Sequence, residues 1–168
     1  MQGRKTYHEK FFTKFRLSQR VPKNNFYRRL KNVLKLNFLY EETKNYYAQC
    51  GQKSIDPIVF FKICLVGYLE NITNDRQLIE FCSLRLDILY FLGYDVDEKL
   101  PCSTTISRTR NKFPPKVYNG LLNRVLDICE ASGIFSERVH IDNPSKPDIA
   151  YHKAGVSKNI KQQSVGVS

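Results

Sequence analysis

The stretch that most restricts the fold is "SIDPIVFFKICLVGYLEN", residues 54–71. Its centre, "IVFFKICLVGYL" (58–69), is the most apolar run in the chain and is broken by Lys62. It is too short to span a bilayer, which needs about 20 residues. It therefore reads as a buried helix. The start is well marked, with Asp56 as N-cap and Pro57 at the first helical position.

The segments around it carry helical patterns too. "NNFYRRLKNVLKL" (24–36) places Phe26, Leu30, Val33 and Leu34 at helical spacing, with Arg28, Arg29, Lys31 and Lys35 on other faces. This is an amphipathic helix with a basic side. "FLYEETKNYYA" (38–48) adds a short helix ending before Gly51. "TNDRQLIEFCSLRLDILYFLGYD" (73–95) reads as two helices broken near Ser83 to Arg85, with Thr73 or Asn74 as cap and Gly93 as the closing residue. Ser103 is placed to cap a helix over 104–112, which Pro114 and Pro115 end. "PKVYNGLLNRVLDICEASG" (115–133) is a long amphipathic helix with Val117, Leu121, Leu122, Val125, Leu126 and Cys129 on one side and Gly133 closing it. The expected fold is mainly α: a helical bundle with a helix-turn-helix-like segment, one short C-terminal strand and a disordered tail. The expected boundaries are a basic arm over 1–23, a helical domain over 24–133, a strand over 134–142 and the tail over 143–168.

Charge narrows the function. The formal net charge is +11, and residues 1–35 alone hold 11 Lys/Arg against one acid, Glu9. A basic block of this kind suits a polyanion, most often nucleic acid; the plain alternative is a solvated arm with no partner. The five cysteines contain no CxxC pair, and Cys64, Cys82 and Cys129 fall in apolar runs as small core residues. That usage fits a reducing cytosol, and a cytoplasmic protein with no membrane partner is expected. The basic N-terminus lacks the long apolar segment of a signal peptide. HExxH, P-loop, GxSxG and GxGxxG motifs are absent, and His8, His140 and His152 are isolated.

Two stretches present candidate chemistry. "STTISRTRNK" (103–112) would make a short recognition helix, docked by Ile106. Thr104, Thr105, Ser107, Arg108, Arg110, Asn111 and Lys112 are residue types that contact phosphates and base edges; the alternative is a polar surface helix that touches nothing. Arg28, Arg29 and Lys31 would add phosphate contacts from the basic helix. In "RVHIDNPSKPD" (138–148), Val139 and Ile141 alternate with His140 and Asp142, as in a strand that ends on a carboxylate before a Pro-broken loop. That is a common way to present a metal ligand.

Together "TYHEKFF", "FRLSQRVPKNNFYRRLK", "SIDP", "DRQLIEFC", "LDILYFLGY" and "STTISRTR" resemble, in order, the N-terminal helical region of DDE-type insertion-sequence transposases, from about Thr6 to Gly133. The resemblance implies that this region binds the terminal inverted repeats of a mobile element, and that a ribonuclease-H-like domain follows. In the full-length family three acidic residues hold two Mg²⁺ ions, about 4 Å apart, that drive strand cleavage and transfer. The first of those acids corresponds here to Asp142. After it the chain offers one more acid, Asp148. The expectation is thus a truncated copy, inactive alone, with no cofactor of its own. Its expected partners are DNA and, through the helical domain, further copies of itself or full-length transposase. Two other readings stand beside it: a DNA-binding inhibitor of the full-length enzyme, and a remnant without function.

Overall fold

In the computed structural model, residues 16–47 and 54–134 are described, and every regular element among them is helical. In chain order they are α1 (Leu17–Arg20), α2 (Phe26–Val33), α3 (Phe38–Thr43) followed by a 3-10 turn (Lys44–Tyr46), α4 (Pro57–Leu69), α5 (Asp75–Ser83), α6 (Leu86–Leu92), α7 (Ser103–Asn111) and α8 (Pro115–Ala131).

The apolar run forms α4, and the bundle is built around it. The Asp56 carboxylate accepts from the Ile58 and Val59 amides at 2.7 and 3.2 Å, with Pro57 at the first position. Phe60, Phe61, Ile63, Leu65 and Val66 are fully buried, and α3, α5, α6 and α8 all pack on this helix. Aromatic rings fill much of the space between helices. Phe60 stacks on Phe113 and Phe61 on Tyr118, with centroids 5.9 and 6.1 Å apart. Lys62 is half-buried and finds a partner inside. Its Nζ donates to the Phe91 carbonyl at 3.0 Å and lies 5.1 Å from the Phe91 ring centroid. Burial, with Lys31 nearby, pulls its pKa down to about 8.

Helix ends follow local chemistry. α4 stops where Asn71 takes a left-handed conformation (φ 56) and the Ile72 amide returns to the Gly67 carbonyl at 2.8 Å. Gly67 suits that close return: a Cβ would meet Ile72 O and Leu78 Cδ2 tightly, each at 3.1 Å. Of the two expected caps for α5 it is Asn74 that serves, accepting from the Arg76 and Gln77 amides. α6 ends at Gly93 (φ 92), where the Gly93 and Tyr94 amides both reach the Leu89 carbonyl. The start of α7 differs from the sequence expectation. α7 begins a residue early, with Cys102 rather than Ser103 at the cap position. Cys102 is extended (ψ 157), and its backbone carbonyl accepts from Thr105 and Ile106 in place of a side-chain cap.

A polar network ties α2 to α6 and to the end of α4. Asn25 caps α2 by accepting from the Arg28 amide, and its Nδ2 donates to Asp87 at 3.1 Å. Asp87 holds Arg85 through two bonds of 3.0 and 2.7 Å. Arg85 in turn lies 3.8 Å from Glu70, which accepts from the Tyr27 hydroxyl. Burial alone would raise the Asp87 pKa, but the hydrogen bonds from Arg85 and Asn25 outweigh it and hold the carboxyl below its ordinary range.

Residues 1–15 of the basic arm, the segment 48–53 with Cys50, and residues 135–168 lie outside the described residues. The strand expected over 134–142 and the tail over 143–168 therefore fall outside them, apart from Ile134, which is buried in the core.

Two glycines should respond oppositely to alanine. Gly93→Ala forces a left-handed residue to carry a Cβ and should cost about 1 kcal/mol. Gly120→Ala, inside α8 with open space around it, should stabilise by about 0.5–1 kcal/mol. Urea unfolding of both variants measures this. Because the folded Asp87 pKa is depressed, its contribution is present above the ordinary carboxylate pKa and is lost as pH falls through the folded value. Thermal midpoints should drop on acidification towards about pH 3, and Asp87→Asn should start lower at neutral pH and show a flatter acid limb.

Candidate nucleic-acid interface

α7 has two clearly different sides. Ile106 and Thr109 are buried, at 0% and 3% exposure, and dock the helix on the core. Thr104, Ser107, Arg108 and Asn111 are exposed. Their spacing of three, four and seven places them on one stripe, since a helix repeats every 3.6 residues. The Arg108 side chain makes no hydrogen bond or ion pair with any described residue. The stripe thus offers hydroxyls, an amide and a free guanidinium, the donor and acceptor set that reads base edges.

The remaining predicted residues of this helix have internal tasks. Arg110 points to the other side and grips Asp75 of α5 with two bonds of 2.8 Å. It also lies 5.9 Å from the Tyr118 ring on α8, and the Asp75 bonds push its pKa further up. Lys112 donates to Ser54 Oγ at 3.1 Å and sits 5.3 Å from the Tyr47 ring. Thr105 is half-buried, and its hydroxyl and that of Thr104 each lie 3.0 Å from Cys102 Sγ. Those two hydroxyls stabilise the thiolate, so the exposed Cys102 thiol has its pKa lowered to about 7.

The basic helix is less available than its charge suggests. Arg28 donates to the Ser18 and Val21 carbonyls, both at 2.5 Å, and so staples the turn after α1 to α2. Lys31 donates to the Tyr90 carbonyl at 2.6 Å and lies 4.3 Å from that ring, and burial lowers its pKa. Arg29, half-buried, is engaged within the fold as well. Arg28 and Lys31 hold α2 to its neighbours, and a phosphate would have to compete for them.

Sequence reasoning passed over Arg76 and Lys116. Both are exposed and without a partner among the described residues. Arg76 follows Asp75, which Arg110 grips, and Lys116 precedes by two residues Tyr118, whose ring lies by Arg110. The available signal was their position in the first turns of α5 and α8. A cation there opposes the helix dipole, so its charge does not serve the helix that bears it.

Among the described residues no group of three His, Cys, Asp or Glu could hold a metal ion, and Asp142 lies outside them. No described helix is long and apolar enough to cross a membrane.

Residues 15–112, more than half of the chain, match the family model described as Transposase domain (DUF772). No curated protein and no solved structure shows significant similarity.

The cysteines give a probe of the α7 surface. Cys102 should react with a thiol reagent fastest of the described cysteines, with a rate that rises through about pH 7. Cys64, Cys82 and Cys129 are buried, and burial pushes Cys82 and Cys129 up to about 12, so they should react only on unfolding. Mass spectrometry of labelled peptides measures this, and fast labelling of Cys82 in the folded chain would contradict it.

Proposed function

This chain belongs to the transposase-domain family DUF772, and from that premise we propose that its helical domain binds the terminal inverted repeats of an insertion sequence, with α7 entering the major groove. The observation that carries the proposal is the stripe of Thr104, Ser107, Arg108 and Asn111 on a helix whose opposite side is docked in the core. Arg108 has the geometry to pair with the two major-groove acceptors of guanine, and Asn111 with adenine. Ser107 and Thr104 supply shorter contacts to edges or phosphates. Arg76 and Lys116, and Arg16 and Arg20 at the start of the bundle, are exposed cations that would track the phosphate backbone.

The resemblance to DDE enzymes adds a second layer to the proposal. Asp142 would be the first carboxylate of a Mg²⁺-holding set. Mg²⁺ would supply activation of the attacking oxygen and stabilisation of the leaving one. The residues described here are assigned the holding of DNA and no step of strand cleavage.

Fluorescence anisotropy on a labelled terminal-repeat duplex and on a scrambled duplex, across a salt series, tests the proposal. The full chain should prefer the repeat at physiological salt. Arg108→Ala should weaken the repeat by about tenfold while changing the scrambled duplex little, as for loss of a base contact. Equal loss on both duplexes would reduce Arg108 to a phosphate contact, and equal wild-type binding to both would overturn sequence-specific recognition.

A further inference from the structure

We propose that the Asp75–Arg110 ion pair aims the reading face of α7, so that Asp75, an acid beside a DNA-binding surface, strengthens DNA binding. This rests on the DNA-binding reading above and adds a positioning role to it.

α7 is a nine-residue helix that follows the connection 93–102, which has no helix or strand of its own. Its apolar footing is narrow: Ile106 and Thr109 are its buried residues. Apolar contact is non-directional, so this footing sets which side of the helix faces the core but holds its exact roll only loosely. The roll decides where Ser107, Arg108 and Asn111 point. A directional contact narrows it, and α7 makes one with Asp75. The Arg110 guanidinium meets both carboxylate oxygens of Asp75 at 2.8 Å, the paired geometry that constrains the plane as well as the distance.

The surroundings make this pair a fixed point. The Asp75 side chain is sheltered, at 16% exposure, and sits on the first residue of α5, directly after the Asn74 cap. Arg110 lies against the Tyr118 ring of α8, and the buried Cys64 thiol of α4 is within electrostatic reach of it. Four helices thus meet at one guanidinium. Arg110 is also two residues beyond Arg108, about 200° around the helix. It cannot face the same groove as Arg108 while it holds Asp75.

The sign of the Asp75 effect separates this role from the obvious alternative. If Arg110 were itself a DNA contact, Asp75 would be a competitor, and neutralising it would release a cation and tighten binding. If the pair aims α7, neutralising Asp75 loosens the aim and weakens binding. The test uses the full chain, the labelled terminal-repeat duplex and the scrambled duplex, at a temperature well below the thermal midpoint of every variant. Asp75→Asn should weaken the repeat by about tenfold, leave the salt slope unchanged because no phosphate contact is lost, and affect the scrambled duplex much less. In an Arg108→Ala background, Asp75→Asn should cost little further preference for the repeat, because the group it aims is gone. A purely structural role would leave binding of the folded variant unchanged. Unchanged or tighter binding by Asp75→Asn, or the same loss with and without Arg108, would overturn the proposal. Wild-type binding without preference for the repeat would remove the DNA reading and this proposal together, whereas a wild-type preference that Asp75→Asn leaves intact would remove only this one.

Discussion

The bundle depends on covering α4. Five of its side chains, Phe60, Phe61, Ile63, Leu65 and Val66, are at zero exposure, and they do not share one face. Leaving any side wet would expose large apolar side chains, each worth about 1.5–3 kcal/mol on burial. The other helices are therefore arranged as a jacket, with α3, α5, α6 and α8 all packed on α4. The one charged residue in the run, Lys62, is tolerated because its head reaches the Phe91 carbonyl of α6.

Much of this was legible in the sequence because it was local. The Asp56–Pro57 start, the Asn74 cap, the break between α5 and α6 and the Gly93 stop depend on residues within a turn of the feature they define. The α7 boundary missed by one residue for the same reason turned round. Ser103 is a better cap by residue type, but the extended backbone at Cys102 moves the helix start ahead of it. The long-range polar bonds had no such signal. Asn25 to Asp87 spans 62 positions and Arg110 to Asp75 spans 35, and nothing in the spacing of either pair announces it.

The candidate site divides along the same line. Helical periodicity identifies the residues that share a face, so the stripe through Thr104, Ser107, Arg108 and Asn111 could be read directly. It does not identify the cations that are already spoken for. Arg28, Lys31, Arg110 and Lys112 carry the right charge for phosphates, yet each is turned to a carbonyl, a carboxylate, a hydroxyl or an aromatic ring within the fold. A guanidinium with a carboxylate at 2.8 Å and one with no partner among the described residues look the same in a sequence. Composition therefore overstated the charge available from α2 and missed that offered by Arg76 and Lys116.

The outward stripe of α7 also has a bearing on descent. Its four exposed side chains help neither the core nor the ion pair that holds the helix. Surface exchanges of that sort generally shift stability by less than about 0.5 kcal/mol. A lineage can rewrite Ser107, Arg108 or Asn111 one at a time without passing through a chain that fails to fold. Ile106, Thr109 and Arg110, interleaved with them, have no such freedom. Within one short helix, the positions that keep its place and the positions open to drift alternate, so the outer chemistry can diversify quickly on a frame that scarcely changes.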